Sequence, residues 1–147
     1  MDDRRAAFDE KFRLRELALG HTEGWNLSLR PDQITLGSMV LSLAADKFDL
    51  SGLSEAEARG MAAGFGQAER LAREVFGAVR INILCLMMQD PIVHFHILPR
   101  YDHPLNRHGR DWVDADWPGP PAIRAAPIDT DMLHRLRDEL RAALSAK

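Results

Sequence analysis

The stretch Pro91-Ile-Val-His-Phe-His-Ile-Leu-Pro-Arg-Tyr101 decides how this chain folds. Apart from its two histidines, the run between the prolines is apolar and rich in β-branched and aromatic residues, which favours a strand. Successive side chains of a strand point to opposite faces, so His94 and His96 share one face and the apolar residues around them share the other. Pro99 cannot donate to a central ladder, and it predicts the end of the strand. Burying two imidazoles without partners is costly, so the pair marks a candidate functional site.

The composition is that of an ordinary globular domain, and we assign residues 1–147 to one domain. Hydrophobic residues make up 46% of the chain and charged residues 28%, which is typical of a folded domain. The net charge of −3, with both signs interspersed, predicts no nucleic-acid or membrane partner. The single Cys85 excludes an internal disulfide and lies in an apolar run that predicts a buried thiol. No segment has the pattern of a leader or a membrane span, so a cytoplasmic location is expected.

Upstream of the histidines, the pattern predicts one helix and three strands. Residues 3–13 carry apolar side chains at helical spacing. Leucines and a tryptophan then flank the turn-rich His21-Thr-Glu-Gly24, which indicates a hairpin. Residues 30–33 form a predicted loop, and residues 37–43 form a predicted third strand.

A long helix is predicted next, because Ser54 with Glu57 three residues later forms a capping box. An apolar stripe at helical spacing follows, which predicts that this helix packs on a sheet. The helix contains three glycines, Gly60, Gly64 and Gly66. Each weakens a helix by roughly 1 kcal/mol relative to alanine. Their small size would let a strand or a symmetry mate approach closely.

The segments around the histidine strand supply the remaining predicted strands and the last helix. Residues 80–88 are predicted to form a buried strand, and residues 89–91 a tight turn that joins it to the strand 92–98 in a hairpin. Asp129-Thr130 later caps a final helix with leucines on one face. The sequence therefore predicts an α+β domain with antiparallel strands, one long helix and terminal helices. Its core spans about residues 12–101, and residues 102–147 form a loop-rich tail that ends in the last helix.

The histidine pair has three interpretations from the residues alone. It could be structural, since hydrogen-bonded histidines occur in many strands. It could bind zinc with His103 or His108 as a further ligand, although both of these lie in a predicted loop. It could also catalyse a reaction covalently, because neutral histidine, with an ordinary pKa of about 6.5, has a free lone pair at neutral pH.

Covalent catalysis would use one imidazole as the nucleophile and the other as its partner. Neutral imidazole can attack phosphorus, and water can reverse the resulting phosphoramidate bond. The second imidazole can donate hydrogen bonds to phosphate oxygens or protonate the leaving group. The sequence contains no Walker-type loop, so these side chains and nearby backbone amides would hold the phosphate.

The sequence Met88-Gln-Asp90 followed by Val93-His-Phe-His-Ile-Leu-Pro-Arg100 resembles the motif of the histidine triad nucleotide hydrolases and transferases. That motif has three histidines separated by single apolar residues, and Pro-Arg often follows it. Residues 37–43, leading into the long helix, resemble the family's Gly-His-x-Leu-Val strand. Residues 112–121 resemble the Trp-Pro-Gly-rich ends of small bacterial members. The resemblance implies an antiparallel α+β sheet that continues across a homodimer.

The resemblance also implies a mechanism and its residues. His94 takes the place of the histidine that attacks the nucleotide α-phosphate, and His96 takes the place of the third histidine. The backbone carbonyl of Ile92 would hold the distal ring nitrogen of His94. Gln89 aligns with a strand-end amide that contacts phosphate oxygens. Hydrolase members keep histidine at the position of His96, whereas the transferase and phosphorylase branch has glutamine there.

Two arginines are further candidates for substrate binding. Arg100, at the predicted strand end, could meet a polyphosphate tail. Arg30 lies near the position of a ribose-contacting asparagine in the family, so it could bind ribose or a distal phosphate, or it could be a solvated loop residue. Trp112 and Trp117 are expected to pack in the core or in an interface.

The chain departs from the family's pattern at three places. Ile92 stands where the first histidine belongs, so the chain carries two of the three histidines. The turn before the motif is reduced to residues 90–91, which removes the phosphate donors that the family's Gly-rich loop supplies. Ser38 replaces the histidine of the family's Gly-His.

Together these features predict a nucleotide hydrolase. It would cleave dinucleoside polyphosphates or nucleoside phosphoramidates at the α-phosphate through a nucleotidyl-histidine, without a metal or other cofactor. A nucleotidyltransferase of the same family is one alternative. A nucleotide-binding protein that has lost its catalytic activity is the other.

Overall fold

The computed structural model describes residues 3–146, in which the elements follow one another in the order expected from the sequence. They are α1 (Asp3–Lys11), β1 (Ala18–Thr22), β2 (Trp25–Leu29), β3 (Met39–Leu43), α2 (Glu55–Phe76), β4 (Arg80–Leu84), β5 (His94–Arg100), β6 (Leu105–Arg107), β7 (Arg110–Trp112) and α3 (Thr130–Ser145). One antiparallel sheet has the strand order β1-β2-β3-β5-β4. The predicted α+β class, with one long helix and terminal helices, is confirmed.

The two faces of this sheet have different roles. On one face, Leu27 pairs with Leu41, and Leu41 pairs with Phe95. These three side chains belong to the main core, which also contains buried residues of α2 and α3. On the opposite face, Val40 pairs with His96. The alternation predicted for the histidine strand is therefore confirmed, and it separates the imidazoles from the main core.

Helix α2 lies against the β1–β2 hairpin because a glycine faces the turn. A Cβ added to Gly60 would lie 1.8 Å from the carbonyl oxygen of Glu23, so the helix could not sit there with any larger residue. The indole Nε1 of Trp25 donates to the carbonyl of Glu57 at 2.7 Å and ties the hairpin to the helix. The predicted capping box at Ser54 is present. The close approach expected at this glycine is confirmed.

Strand β4 is shorter and more exposed than predicted. It ends at Leu84, and as an edge strand it has side chains that are half-buried or exposed. Its antiparallel pairing with β5 is confirmed. However, residues 85–93 form a loop between the two strands, so the prediction of a tight turn at residues 89–91 was wrong. An edge strand has only one neighbour, which leaves apolar sequence here in contact with solvent, and Cys85 is only partly buried.

Strand β5 continues through Pro99 to Arg100, beyond its predicted end. Pro99 pairs with Ile81 of β4, whereas β3 pairs with β5 only as far as Ile97. In the described chain no residue of β3 lies opposite Pro99. Its missing N–H therefore costs no ladder hydrogen bond on that side, which explains why proline is tolerated within the strand.

Residues 102–147, predicted to be a loop-rich tail that ends in a helix, contain more regular structure than expected. Strands β6 and β7 pair as a hairpin, each only 3 residues long, which is too short for a recognisable alternation. Trp112 at its end is buried in the main core, as expected. The final helix begins at the predicted cap, where Asp129 accepts from the N–H of Met132 at 2.7 Å. Across residues 3–146, each helix is too short or too polar to cross a bilayer.

Candidate active site

Helix α1 covers both histidines on the face of the sheet opposite the main core. His94 and His96 are 2% and 6% exposed, and their ring centroids lie 5.0 Å apart. The ring of Phe8 lies 5.0 Å from that of His94, and Phe12 contacts both imidazoles. These aromatic side chains exclude water from one side of the pair and place it in a low-dielectric environment.

A backbone carbonyl holds His94 in one tautomer. The carbonyl oxygen of Ile92 lies 2.6 Å from Nδ1 of His94. Because a carbonyl oxygen can only accept, Nδ1 carries the proton and Nε2 keeps its lone pair. This contact is the one that the resemblance implies for the nucleophilic histidine. The side chain of Ile92 is 1% exposed and packs with Phe8 and Val40, so it belongs to an apolar cluster.

Burial keeps both imidazoles neutral at neutral pH. It lowers the pKa of His94 below 6.5, against the opposing effects of the Ile92 carbonyl and the Asp90 carboxylate. Burial also lowers the pKa of His96 to about 4, and the positive charge of Arg30 contributes to this shift. Neutral imidazole is the form that acts as a nucleophile or as a one-proton donor, so the pair is in a reactive state at neutral pH.

Arg30 is a buried neighbour of His96 and not a solvated loop residue. Its side chain follows the end of β2 and is enclosed, with the whole residue only 6% exposed. Its Nε donates to Nδ1 of His96 at 3.4 Å, and its Nη1 donates to the carbonyl of Asp32 at 3.0 Å. Burial lowers the pKa of this guanidinium, which nevertheless stays charged at neutral pH. The histidine pair therefore has a fixed positive charge beside it.

A cavity of about 430 Å³ opens onto these groups. Its walls come from α1, the loop after β2, the β4–β5 loop, β5 and the tail. Gln89 lines it together with His94, His96 and Arg30, although Gln89 lies in a loop and not at a strand end. The structure thus brings four of the residues singled out in the sequence around one cavity. The backbone carbonyl of Ile92 accepts a hydrogen bond from one of them, His94.

Two segments contribute cavity residues that the sequence did not single out as site residues. Lys11 ends α1 and Phe12 follows it, and Lys11 pairs with Asp90 at 2.7 Å. Arg124 comes from the tail, where it pairs with Asp116 at 3.1 Å. The tail reaches the cavity because the backbone N–H of residue 33 donates to the carbonyl of residue 126 at 3.0 Å. The helical spacing in α1 indicates an apolar stripe but not the surface that it covers, and nothing in the tail sequence indicates its path.

Arg100 does not share this cavity, so the structure contradicts its predicted contact with a polyphosphate tail. Its Nε donates to Asp114 at 2.6 Å, and its two terminal nitrogens donate to Asn82 and to the carbonyl of Gly119, both at 2.8 Å. The side chains of the ion pair are 3% and 2% exposed. A guanidinium with its donors committed in this way holds the tail against β5 and is not free to bind a phosphate.

The later histidines lie apart from the pair. His103 contacts Asp102 at the surface, and His108 contacts Glu139 of α3 at 2.9 Å. Neither lines the cavity. Within residues 3–146, no three histidine, cysteine or acidic side chains are grouped so that they could hold a metal ion. The zinc interpretation that used His103 or His108 therefore has no supporting geometry.

Acidification is expected to destabilise the fold through the buried pair. His96 has a pKa of about 4 when folded and about 6.5 when unfolded, so the unfolded chain binds more protons between these values. The free energy of unfolding therefore falls as the pH drops through this window, by about 2–3 kcal/mol at about pH 4.5 from His96 alone.

Urea unfolding of the wild type and His96→Gln at neutral and acid pH measures this effect. The pH-dependent loss should shrink in His96→Gln by about the same 2–3 kcal/mol. The exposed His21→Gln serves as the matched control and should behave like the wild type. An equal loss in all three proteins would show that the pKa of His96 is not lowered.

No family model and no curated protein matches this sequence, but solved structures match most of its length. A histidine triad protein from Bradyrhizobium japonicum has a TM-score of 0.65 at 21% identity, covering 88% of this chain and 92% of that protein. A hypothetical histidine triad nucleotide-binding protein from Sulfolobus tokodaii has a TM-score of 0.68 at 14% identity, covering 92% and 90%. The diadenosine triphosphate hydrolase of Plasmodium falciparum has a TM-score of 0.65 at 11% identity, covering 90% of this chain and 79% of that one. At these identities the similarity shows a shared fold.

Proposed function

Because this chain has the fold of the histidine triad proteins, we propose that it is a nucleotide hydrolase that cleaves at the α-phosphate. Its proposed substrates are dinucleoside polyphosphates or nucleoside phosphoramidates. The observation that carries the proposal is the 2.6 Å contact between the Ile92 carbonyl and Nδ1 of His94. A buried histidine held in this way beside a cavity presents a lone pair on Nε2, and that is what attack on phosphorus requires.

The reaction takes place in two displacements. In the first, Nε2 of His94 forms a bond to the α-phosphorus while the bond to the leaving group breaks and its electron pair departs with that group. A polyphosphate leaves as a stable anion, whereas an amine takes up a proton from solvent as it leaves. The ring then carries a positive charge, which the carbonyl of Ile92 stabilises through Nδ1–H. In the second, water attacks the α-phosphorus and gives its proton to solvent, and the phosphorus–nitrogen bond returns its electron pair to Nε2. The products are a nucleoside monophosphate and the leaving group.

Loss of the first histidine is compatible with this chemistry. The group that orients His94 is the backbone carbonyl of residue 92, which any residue supplies. With isoleucine at position 92 the polar side chain of a histidine is absent. Ile92 packs in a buried cluster, and this packing keeps its carbonyl in place. We expect a slower enzyme than one with three histidines, because a polar group beside the reacting histidine is absent.

Positive side chains around the cavity suit a polyphosphate. Lys11, Arg30 and Arg124 come from three different elements and line the same space as the histidines. Gln89 is the neutral donor among the proposed phosphate contacts. Hydrogen bonds from charged donors to phosphate are about twice as strong as neutral ones, so these residues can stabilise several phosphate groups at once.

Hydrolysis in ¹⁸O-labelled water tests the proposed function. The wild-type protein is incubated with diadenosine triphosphate, diadenosine tetraphosphate and an adenosine phosphoramidate, and the products are analysed by mass spectrometry. We expect one ¹⁸O atom in adenosine monophosphate and none in the released nucleotide, because water attacks the α-phosphorus. Label in the released nucleotide, or no product from any of the three substrates, would contradict the proposal.

Adding a phosphate or sugar-phosphate acceptor to this reaction, and analysing the protein for bound nucleotide, separates the two alternatives. A nucleotidyltransferase would pass the nucleotidyl group to an added phosphate or sugar phosphate in preference to water. A nucleotide-binding protein without catalysis would retain the nucleotide tightly and form no covalent adduct with His94. His96 supports hydrolysis over transfer, because it occupies the position where the transferase branch of the resembled family has glutamine.

We further propose that the chain forms a homodimer through the free edge of β4. This strand is one of the two edge strands of the sheet, and Ile83 on it is 36% exposed. An unpaired edge with an exposed apolar side chain is a template for pairing with a second copy.

Ile83→Lys is expected to shift the protein from dimer to monomer in sedimentation velocity. Val113→Lys, at a site that is 63% exposed and lies in the tail, is the matched control and should leave the dimer intact. Wild-type protein that stays monomeric at all concentrations would exclude this interface.

A further inference from the structure

We propose that Arg30 is a positioning residue that holds His96 in the tautomer with its proton on Nε2. We further propose that this tautomer makes phosphoanhydrides better substrates of the enzyme than phosphoramidates. The inference rests on the proposed function and deepens it, because it names the class of leaving group. It comes from the contact between Nε of Arg30 and Nδ1 of His96 at 3.4 Å. The two residues are 66 positions apart in the chain and are both buried.

The hydrogen bonds give the two imidazoles opposite tautomers. A guanidinium only donates, so Nδ1 of His96 accepts from Arg30 and the single proton of neutral His96 lies on Nε2. His94 donates from Nδ1 to the Ile92 carbonyl, so its Nε2 has no proton. One ring therefore presents a lone pair, and its neighbour presents an N–H. This is the arrangement required to attack a phosphorus atom and to hold one of its oxygens.

The charges around His96 keep it in this neutral form. Arg30, His94 and Lys11 disfavour a positive charge on His96, and Asp90 is the one opposing charge among the described residues that act on its pKa. Asp32 and Arg124 also line the cavity, where they form their own contacts. The Nε2 proton of His96 can be shared with a phosphate oxygen, but it cannot be given up, since its loss would leave an imidazolate anion.

A donor that cannot release its proton distinguishes two leaving groups. Cleavage of a phosphoanhydride breaks a phosphorus–oxygen bond and releases a nucleoside polyphosphate, whose oxygen keeps the electron pair as a stable anion. Cleavage of a phosphoramidate breaks a phosphorus–nitrogen bond and releases an amine, whose nitrogen must gain a proton. At neutral pH His96 does not supply that proton, so phosphoanhydrides are the favoured class. The positive charge of Arg30 beside the cavity favours polyphosphates further.

Histidine ¹H–¹⁵N correlation spectra test the assigned tautomer of His96 without requiring any substrate turnover. In the wild type we expect a protonated Nε2 on His96 and a protonated Nδ1 on His94, assigned with the His94→Gln and His96→Gln variants. In Arg30→Met the pKa of His96 should rise and its tautomer should no longer be unique. Arg124→Met, which removes a cavity charge that does not contact His96, should leave the wild-type spectrum unchanged. A wild-type His96 protonated on Nδ1, or an unchanged His96 in folded Arg30→Met, overturns the proposal.

Substrate preference tests the consequence. For Arg30→Met, we expect kcat/KM for diadenosine tetraphosphate to fall about 100-fold and that for an adenosine phosphoramidate to fall less than about tenfold. Arg30→Lys keeps the charge and should recover most of the preference. Circular dichroism of each variant confirms folding, and Arg30→Gln replaces Arg30→Met if the latter does not fold. An equal fall for both substrates would overturn the assigned selectivity. If the wild type cleaves neither substrate, the proposed hydrolase function fails, while the spectra still decide whether Arg30 fixes His96.

Discussion

Replacing His94 with alanine is expected to reduce turnover by about 10⁵-fold, the size of effect that follows loss of a catalytic nucleophile. The reason is local and electronic. Nε2 of His94 carries the lone pair, since the Ile92 carbonyl holds the proton on Nδ1. Alanine offers no atom that can bond to the α-phosphorus, and water in the enlarged cavity has no base placed to activate it. The remaining rate would reflect binding and phosphate stabilisation only.

Initial rates with diadenosine tetraphosphate and trapping of the nucleotidyl adduct by an alkaline denaturing quench, which preserves the acid-labile phosphorus–nitrogen bond, measure this effect. His94→Ala should form no adduct, whereas His96→Gln should still form one slowly because its nucleophile is intact. His103→Ala is the matched control, since His103 is an exposed histidine paired with Asp102 outside the cavity. Its rate should equal that of the wild type. A His94→Ala protein with more than about a tenth of the wild-type rate would remove His94 from the nucleophile's role.

Replacing Arg100 with methionine is expected to lower the free energy of unfolding by about 3–5 kcal/mol. The substitution leaves the carboxylate of Asp114 buried, with its side chain 2% exposed and its main charged partner removed. It also removes the donors that bind Oδ1 of Asn82 in β4 and the carbonyl oxygen of Gly119 in the tail. A buried charge without a partner costs several kcal/mol, which is why breaking one side of such a pair is more damaging than replacing both.

Urea unfolding of Arg100→Met and of the double variant Arg100→Met/Asp114→Leu separates these contributions. The double variant should recover a large part of the loss, because it no longer buries an unpaired carboxylate. Arg80→Met is the matched control, since Arg80 pairs with Arg100 across the two strands but is exposed. Its stability should change by less than about 0.5 kcal/mol. If Arg100→Met loses no more than this control, the tail is not held by the ion pair.

The outcome at Arg100 shows where sequence reasoning about the site reaches its limit. From the motif, an arginine at the strand end is a plausible contact for a polyphosphate. In the fold, Asp114 lies against it and takes its Nε at 2.6 Å. Arg30 shows the reverse case, since a residue in a loop with no regular pattern is enclosed and reaches His96. Both differences arise from segments that return to β5 from far along the chain, and no local pattern records their path.

The sequence by itself determined the features that depend on neighbouring residues. The strand alternation put both histidines on one face, and the capping box started α2. The contact between the Ile92 carbonyl and His94 was expected from the family resemblance of the motif, and the structure contains it. The tertiary structure alone decided that β4 is an edge strand, that α1 covers the imidazoles and that the tail forms a wall of the cavity. The physical reason is how far apart along the chain the interacting residues lie. The tautomer of His94 follows from a contact between residues 2 apart, which backbone geometry imposes, whereas that of His96 depends on an arginine 66 residues away, which only packing brings within reach.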